Sequence, residues 1–241
     1  SVYSIFVAEV MLQQTQLHVV VPYWKKWMTT FPNLEVLAKA DLSNVLLLWQ
    51  GLGYYSRAQR IHQASQTLFN LIGSKEFLDL SKWPKDLITW TGLPGIGRST
   101  AGSIISSAFN LPTPLLDGNV KRILSRLLMS HLPISKNSKE LWHFSNLFLD
   151  YQSPRNFNQA LMDLGATICT TKSPLCKKCP LNEYCFAYNF GNPENFPVKE
   201  RKKSLTKLTI GIGVIINSHR EVLIAQRLQK VRMGSMWEFP G

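Results

Sequence analysis

Four cysteines, Cys169, Cys176, Cys179 and Cys185, stand at the spacing C-x6-C-x2-C-x5-C, and the chain carries no others. Thiols this close in sequence can bind a metal or pair as two disulfides. No secretory segment is evident and no cysteine is spent elsewhere, which favours a metal in a reducing compartment. Zinc and an iron–sulfur cluster both suit four thiolates, and the ligand set alone leaves the choice open. Pro174, Lys177, Lys178 and Pro180 supply turns and cations around a negatively charged centre.

Two carboxylates stand out in a chain with 15 acidic residues against 27 basic ones. Glu9 follows Ile5 by four positions and Phe6 by three, so on a helix it lies along the apolar side. Burial raises a carboxyl pKa, and an acid kept protonated near neutral pH can protonate a leaving group. The plainer alternative is a structural glutamate at the rim of the apolar stripe. Asp117, in LLDGNV, is placed to cap a helix running through Lys121, Arg122 and Leu127. Capping accounts for it, and a cap at the mouth of a cleft can also face an electron-poor sugar.

The segment LPGIGRSTAG, residues 93–102, lies between two apolar-periodic stretches and reads as a helix–hairpin–helix. Gly95 and Gly97 let the backbone approach a phosphate, and the helix start after them offers free N–H groups and a positive dipole end. Such a turn grips a nucleic-acid backbone without reading sequence; an ordinary turn between helices is the alternative. GLGYYSR, residues 51–57, joins flexible backbone to two aromatics and a cation, which suits a loop entering a groove or stacking on a base. Three amides in QQTQ, residues 13–16, could fill the hole left by an extruded base, although a polar helix end explains them almost as well.

These residues need elements to hold them. Apolar residues recur at helical spacing through most of residues 1–190, as Ile5, Phe6, Val10, Leu17 and Val21, then Leu34, Leu37 and Ala38, then Val45, Leu46 and Trp49. Stops at Pro22, Pro32, Pro84, Pro94, Pro112 and Pro154 divide them into a many-helix bundle. Residues 189–204 are polar, proline-bearing and basic, as a linker is. Beyond it the pattern turns β-like over 208–216 and 221–225, with Asn217 and Ser218 as the turn. The chain looks cut at both ends, and the final WEFPG belongs to a second domain only begun.

With 241 residues and 45% apolar composition the chain can bury one or two cores. Its formal net charge of +12 favours a polyanionic partner, and no apolar run is long enough to span a bilayer, so nucleic acid is the better candidate than a membrane. A merely soluble basic protein is the alternative.

Taken together, VAEVMLQQTQ, GLGYYSRA, LPGIGRSTAG, LDGNVKR, NQALMDLGATIC and the cysteine loop resemble the A/G-mismatch-specific adenine DNA glycosylases of the endonuclease III superfamily, over residues 1 to about 200. The resemblance implies an all-α, two-lobed helix–hairpin–helix core: one lobe over 1–128, an iron–sulfur lobe over 129–190, a linker over 191–204, and over 205–241 the start of a truncated, β-containing, Nudix-like domain. It implies iron over zinc, with Cys169, Cys176, Cys179 and Cys185 holding a [4Fe–4S] cluster. Glu9 would protonate adenine at N7, Asp117 would stabilise the sugar cation and Asn119 would support the site. Gln14 would wedge into the stack, with Leu52 and Tyr54 near the opposite base and Gly95, Gly97 and Ser99 at the DNA backbone. The partner implied is double-stranded DNA with an A:8-oxoguanine or A:G mismatch, met inside the cell by a monomer with no membrane contact.

Three departures stand beside the resemblance. The N-terminal stretch that helps wall the adenine pocket in family members is missing, Phe109 stands where some relatives carry tyrosine, and only the first strands of the oxoguanine-reading domain are present. An endonuclease III-like pyrimidine glycosylase with lyase activity is the rival enzyme, and Ser99 opposes it because bifunctional relatives place a lysine there. A non-catalytic cluster-bearing DNA-binding module is opposed by the joint presence of Glu9 and Asp117. A Nudix hydrolase is opposed because its catalytic box would lie beyond Gly241.

Overall fold

The computed structural model describes residues 1–73, 78–200, 209–228, 231, 234 and 236–240. It contains two compact units, Ser1–Glu200 and Arg201–Gly241. The first is helical. α1 (Val2–Leu12) begins at Ser1, whose hydroxyl accepts from the Ser4 amide in a capping box. Val2, Tyr3, Phe6, Val7, Val10 and Met11 are all buried, so this helix is apolar on nearly every side. A helix of that kind belongs at the centre of a bundle, and α2 (Leu17–Thr30), α5 (Ser56–Ile72) and α7 (Arg98–Phe109) pack against it. α3 (Leu34–Lys39) and α4 (Leu42–Trp49) pack in turn on α5. Trp27 meets Phe31 and Trp49 edge-on at 5.1 and 5.5 Å between ring centres, and Phe6 lies 5.8 Å from Trp90. Burying a side chain the size of Phe6 stabilises by about 1.5–3 kcal/mol, which makes this cluster the rigid frame.

Pro22 does not end a helix as its type predicts: it sits inside α2. The ring removes one backbone donor, but Val20 and Trp27 of the same helix are locked in the core, and that packing outweighs the local cost. Leu17 and Val21 fall on the outer side of α2 and are exposed, so the inner face is turned from the one that their spacing suggests. Pro154 opens α10 (Pro154–Thr167) at a position where the missing N–H has no helical partner to lose.

A second cluster of buried residues joins Leu115 and Leu116, which lead into α8 (Gly118–Leu127), to Val120 and Leu124 of that helix and to Leu141 of α9 (Ile134–Leu147), with α10 laid against α8. α11 (Phe186–Phe190) also packs on α8. Among the described residues no helix is long and apolar enough to cross a membrane.

The second unit holds a two-stranded antiparallel pair, β1 (Ala225–Gln226) and β2 (Trp237–Glu238), with Ala225 opposite Glu238. Of the strand expected over 208–216, the described residues form a single bridge between Ile216 and Val222, and Ile210, Ile212 and Val214 are exposed, with no buried face to favour longer pairing. The turn expected at Asn217 is present, with its side-chain oxygen accepting from the His219 and Glu221 amides, each at 2.9 Å. Residues 201–204 of the expected linker, Leu208 and Gly241 lie outside the described residues.

Candidate active site

The hairpin is built as its sequence predicts. Asp86 caps α6 (Leu87–Thr91) by accepting from the Thr89 amide at 2.7 Å, and Leu93 and Ile96 are buried on either side of the turn. Gly95 needs to be glycine twice over: its φ is +80°, and a Cβ there would lie 2.9 Å from the Cβ of Arg60. Gly97 caps α7 with no side-chain acceptor, which leaves the first amides of that helix open to an anion. Gln13, at the end of α1, donates to the Gly95 carbonyl at 3.1 Å and to the Thr100 hydroxyl at 3.2 Å, so it braces the hairpin instead of facing outward.

α1 and α7 run against each other, and this brings Glu9 beside Ser103 and within electrostatic reach of Asp117. Burial pushes the Glu9 carboxyl up from 4.5 to about 7, the Ser103 hydroxyl opposes that rise, and the Asp117 charge adds to it. Asp117 is the N-cap of α8, with Oδ1 accepting from the Val120 amide at 2.8 Å. Ser99, in the first turn of α7, accepts from the Leu116 amide at 3.0 Å and thereby ties the hairpin helix to the residue preceding Asp117. Asn119 accepts from Arg122 at 2.9 Å, and the same guanidinium donates to the carbonyls of Gly165 at 2.6 Å and Cys169 at 2.8 Å. α10 comes this close because residue 165 has no side chain: a Cβ there would lie 2.5 Å from the Cβ of Asn119.

Gln14, expected to wedge into the stack, and Tyr54, expected with Leu52 near the opposite base, are exposed, each on left-handed backbone, at φ 58° and 49°. Leu52 is not: it is 5% exposed and packs in the main core, because the turn through Gly51 and Gly53 rolls it inward while presenting Tyr54. Arg57, expected to serve as the cation of that loop at a nucleic-acid surface, is also buried.

None of the four cysteines is paired, and all four line one pocket together with Arg126, Pro174 and Asn182. Among the described residues no group of three or more His, Cys, Asp or Glu is arranged to hold a single metal ion. Arg126 reaches in from α8, fully buried. It donates to Cys169 Sγ at 3.2 Å and to the carbonyls of Thr170, Thr171, Pro193 and Phe196 at 2.7 to 3.1 Å. Burial pushes the Cys176 thiol up, and the thiols of Cys185 and Cys169 push it the same way. Thiolates crowded in a poorly solvated pocket repel one another unless a multiply charged cationic centre compensates them, so the donor set fits a thiolate-bound metal centre.

Arg122, named above only as part of the helix that Asp117 caps, and Arg126 and Ser103 join the site with no role expected from their motifs. The first two had a signal: Asn119, Arg122 and Arg126 recur at intervals of three and four, which places them on one face of α8. Ser103 had none, since nothing local distinguishes it from its neighbours in SIISS.

Residues 7–143 match the model of the HhH-GPD superfamily of base excision DNA repair proteins. The chain is 36% identical over its whole length to the adenine DNA glycosylase of Buchnera aphidicola from Schizaphis graminum, of which it covers 67%. It is 43% identical to that of Schizosaccharomyces pombe over 79% of the chain and 41% of the relative, and 42% identical to that of Homo sapiens over 77% of the chain and 33% of the relative. The chain thus spans one third to two thirds of the length of these curated relatives. Among solved structures, a thermostable thymine-DNA glycosylase superposes with a TM-score of 0.67 at 24% identity, covering 78% of this chain and 85% of that one. A non-covalent endonuclease III–DNA complex superposes with a TM-score of 0.61 at 21% identity, covering 77% and 83%. These two likenesses establish the helical fold.

Proposed function

The chain belongs to the HhH-GPD superfamily of base excision DNA repair proteins and within it to the adenine DNA glycosylases, and we propose that it hydrolyses the N-glycosidic bond of adenine mispaired with 8-oxoguanine or guanine in double-stranded DNA. The observation that carries this is Glu9, a carboxyl raised to about 7 beside a second carboxylate. Adenine is inaccessible inside a duplex and must be extruded first. Glu9 then protonates its N7, so that the base departs neutral with the electron pair of the broken bond. Asp117 faces the positive charge left on the sugar, the same division of labour that two carboxylates perform on glycosides. Asn119, held by Arg122, supports that position, and water completes the hydrolysis. Strand cleavage by a lyase requires an amine at the sugar. Ser99 supplies a hydroxyl already engaged with the Leu116 amide, so the enzyme is monofunctional.

Gly95, Gly97 and the open start of α7 hold the DNA backbone in this reading, Gln14 wedges into the stack, and Tyr54 lies at the opposite base with Leu52 packed beneath its loop. Cys169, Cys176, Cys179 and Cys185 would hold a [4Fe–4S] cluster. When bound it supplies a rigid, fully ligated core that orders its loop and leaves no open position for substrate, while Lys177 and Lys178, both exposed, meet phosphate. The division into a hairpin lobe and a cluster lobe near residue 128, with α8 at the seam, a linker over 191–204, whose first residues Arg126 holds to the helical unit through the Pro193 and Phe196 carbonyls, and the start of a Nudix-like, oxoguanine-reading domain from residue 205 belong to the same reading. So do a monomeric state and an intracellular, DNA-associated location.

Single-turnover excision by the full-length protein on duplexes with adenine opposite 8-oxoguanine, guanine and cytosine tests the function. Rapid release opposite the first two and at least tenfold slower release opposite cytosine is expected; release of a damaged pyrimidine with no adenine release would overturn it.

A further inference from the structure

Among the residues other than glycine with left-handed backbone are Gln14 and Tyr54, each on an exposed segment. Such backbone is costly for a residue with a Cβ and persists only where the surroundings over-determine it. Here one guanidinium holds both segments. Arg57, in the first turn of α5, is 6% exposed. Its Nη1 donates to the carbonyls of Gln13 at 2.6 Å, Met11 at 2.7 Å and Val10 at 3.2 Å, closing the end of α1, where carbonyls lack helical partners and the dipole is negative. Its Nη2 turns to the other side and donates to the Thr15 hydroxyl at 2.9 Å and the Gly53 carbonyl at 3.3 Å. The guanidinium also lies 5.3 Å from the ring centres of both Trp49 and Tyr54. Gln14 is therefore clamped between two residues that Arg57 grips, Gln13 and Thr15. Tyr54 follows directly on a third, Gly53, with its ring against the same cation.

We propose that Arg57 is a positioning residue that fuses the Gln14 and Tyr54 loops into one rigid reader and so sets how strictly the base opposite the extruded adenine is recognised. This rests on the function proposed above. Arg57 itself touches no DNA; it acts through the two loops. Lysine cannot replace it, because acceptors on two segments require a planar fork of donors, whereas an ammonium is a single point of charge on a flexible stem. The selectivity of the enzyme then depends on a side chain that the loop's sequence would assign to the DNA surface.

The test compares wild type, Arg57→Lys and Thr15→Ala in the full-length protein. Single-turnover rates are measured with adenine opposite 8-oxoguanine, opposite cytosine, and opposite an abasic analogue that offers no base to read. In Arg57→Lys the ratio of the 8-oxoguanine to the cytosine rate is expected to fall at least about tenfold, while the rate opposite the abasic analogue stays within about threefold of wild type. Thr15→Ala, which deletes one acceptor and leaves the core intact, is expected to show the same split at about threefold. A ratio unchanged in both variants, or equal losses on all three duplexes, overturns the proposal. If Arg57→Lys does not fold, Thr15→Ala decides alone by the same criterion. Failure of wild type to release adenine opposite any partner defeats the proposed function instead, and is read from the wild-type arm.

Discussion

Replacing Glu9 by glutamine should make the protein more stable and catalytically dead at once. The carboxyl rises from 4.5 to about 7 on folding, chiefly by burial, and each unit is worth about 1.36 kcal/mol between protonation states. Because the folded state holds the proton more tightly than the unfolded state, folding is favoured while the group is protonated in both, below about pH 4.5. That advantage is lost as pH rises toward 7, and above 7 the buried anion costs about 3 kcal/mol. Glutamine keeps the shape without the charge. At pH 8, Glu9→Gln should therefore gain up to about 3 kcal/mol, a rise in Tm of about 6–12 °C for a chain of this size, while at pH 5 the two proteins should melt nearly together. Adenine excision should fall by about 10²–10⁴-fold, the usual worth of a general acid, with mismatch binding retained. In wild type the excision rate should decline as pH rises through 7, since the proton to be donated is then lost. The assays are thermal melts at pH 5 and pH 8 and single-turnover excision across that range. Equal melting at pH 8, or excision by the variant within a few-fold of wild type, would refute the reasoning that burial makes Glu9 an acid.

Gly165→Ala places a Cβ 2.5 Å from that of Asn119, and it should cost about 1–3 kcal/mol by overpacking and slow excision at least about tenfold; unchanged kinetics would show that the approach of α10 does not position Asn119. Arg126→Lys keeps the charge but abandons most of the acceptors that the guanidinium reaches, so a urea melt should show a loss of at least about 2 kcal/mol, with reduced iron content and visible absorbance. A colourless, zinc-loaded wild type of full activity would overturn the iron assignment. Ser99→Lys should gain borohydride trapping on the A:8-oxoguanine duplex, whereas efficient trapping by wild type would defeat the monofunctional reading.

What was legible in the sequence is what depends on near neighbours. Gly95 announces a turn because only glycine takes its backbone freely, Asp117 announces a helix cap because an Asp before an apolar period serves its own third amide, and the four cysteines announce a common site because their spacing confines them to one loop. Glu9 was legible as lying on an apolar side because helical phase is a local property. Tertiary structure decided the rest. Pro22 stays inside α2 because Val20 and Trp27 of the same helix are held by the core, an energy that its own dipeptide does not contain. Leu52 and Arg57 turn inward although their loop reads as a surface element, since the acceptors of Arg57 include the end of α1, more than forty positions away in the chain. The same holds for Arg126, whose fork is filled by carbonyls from segments that meet only after folding. Periodicity and propensity report the phase of a helix and the chemistry of a turn. Which buried donor meets which distant acceptor is set by how the faces pack, because an unpaired polar group in the interior costs more than any local preference supplies.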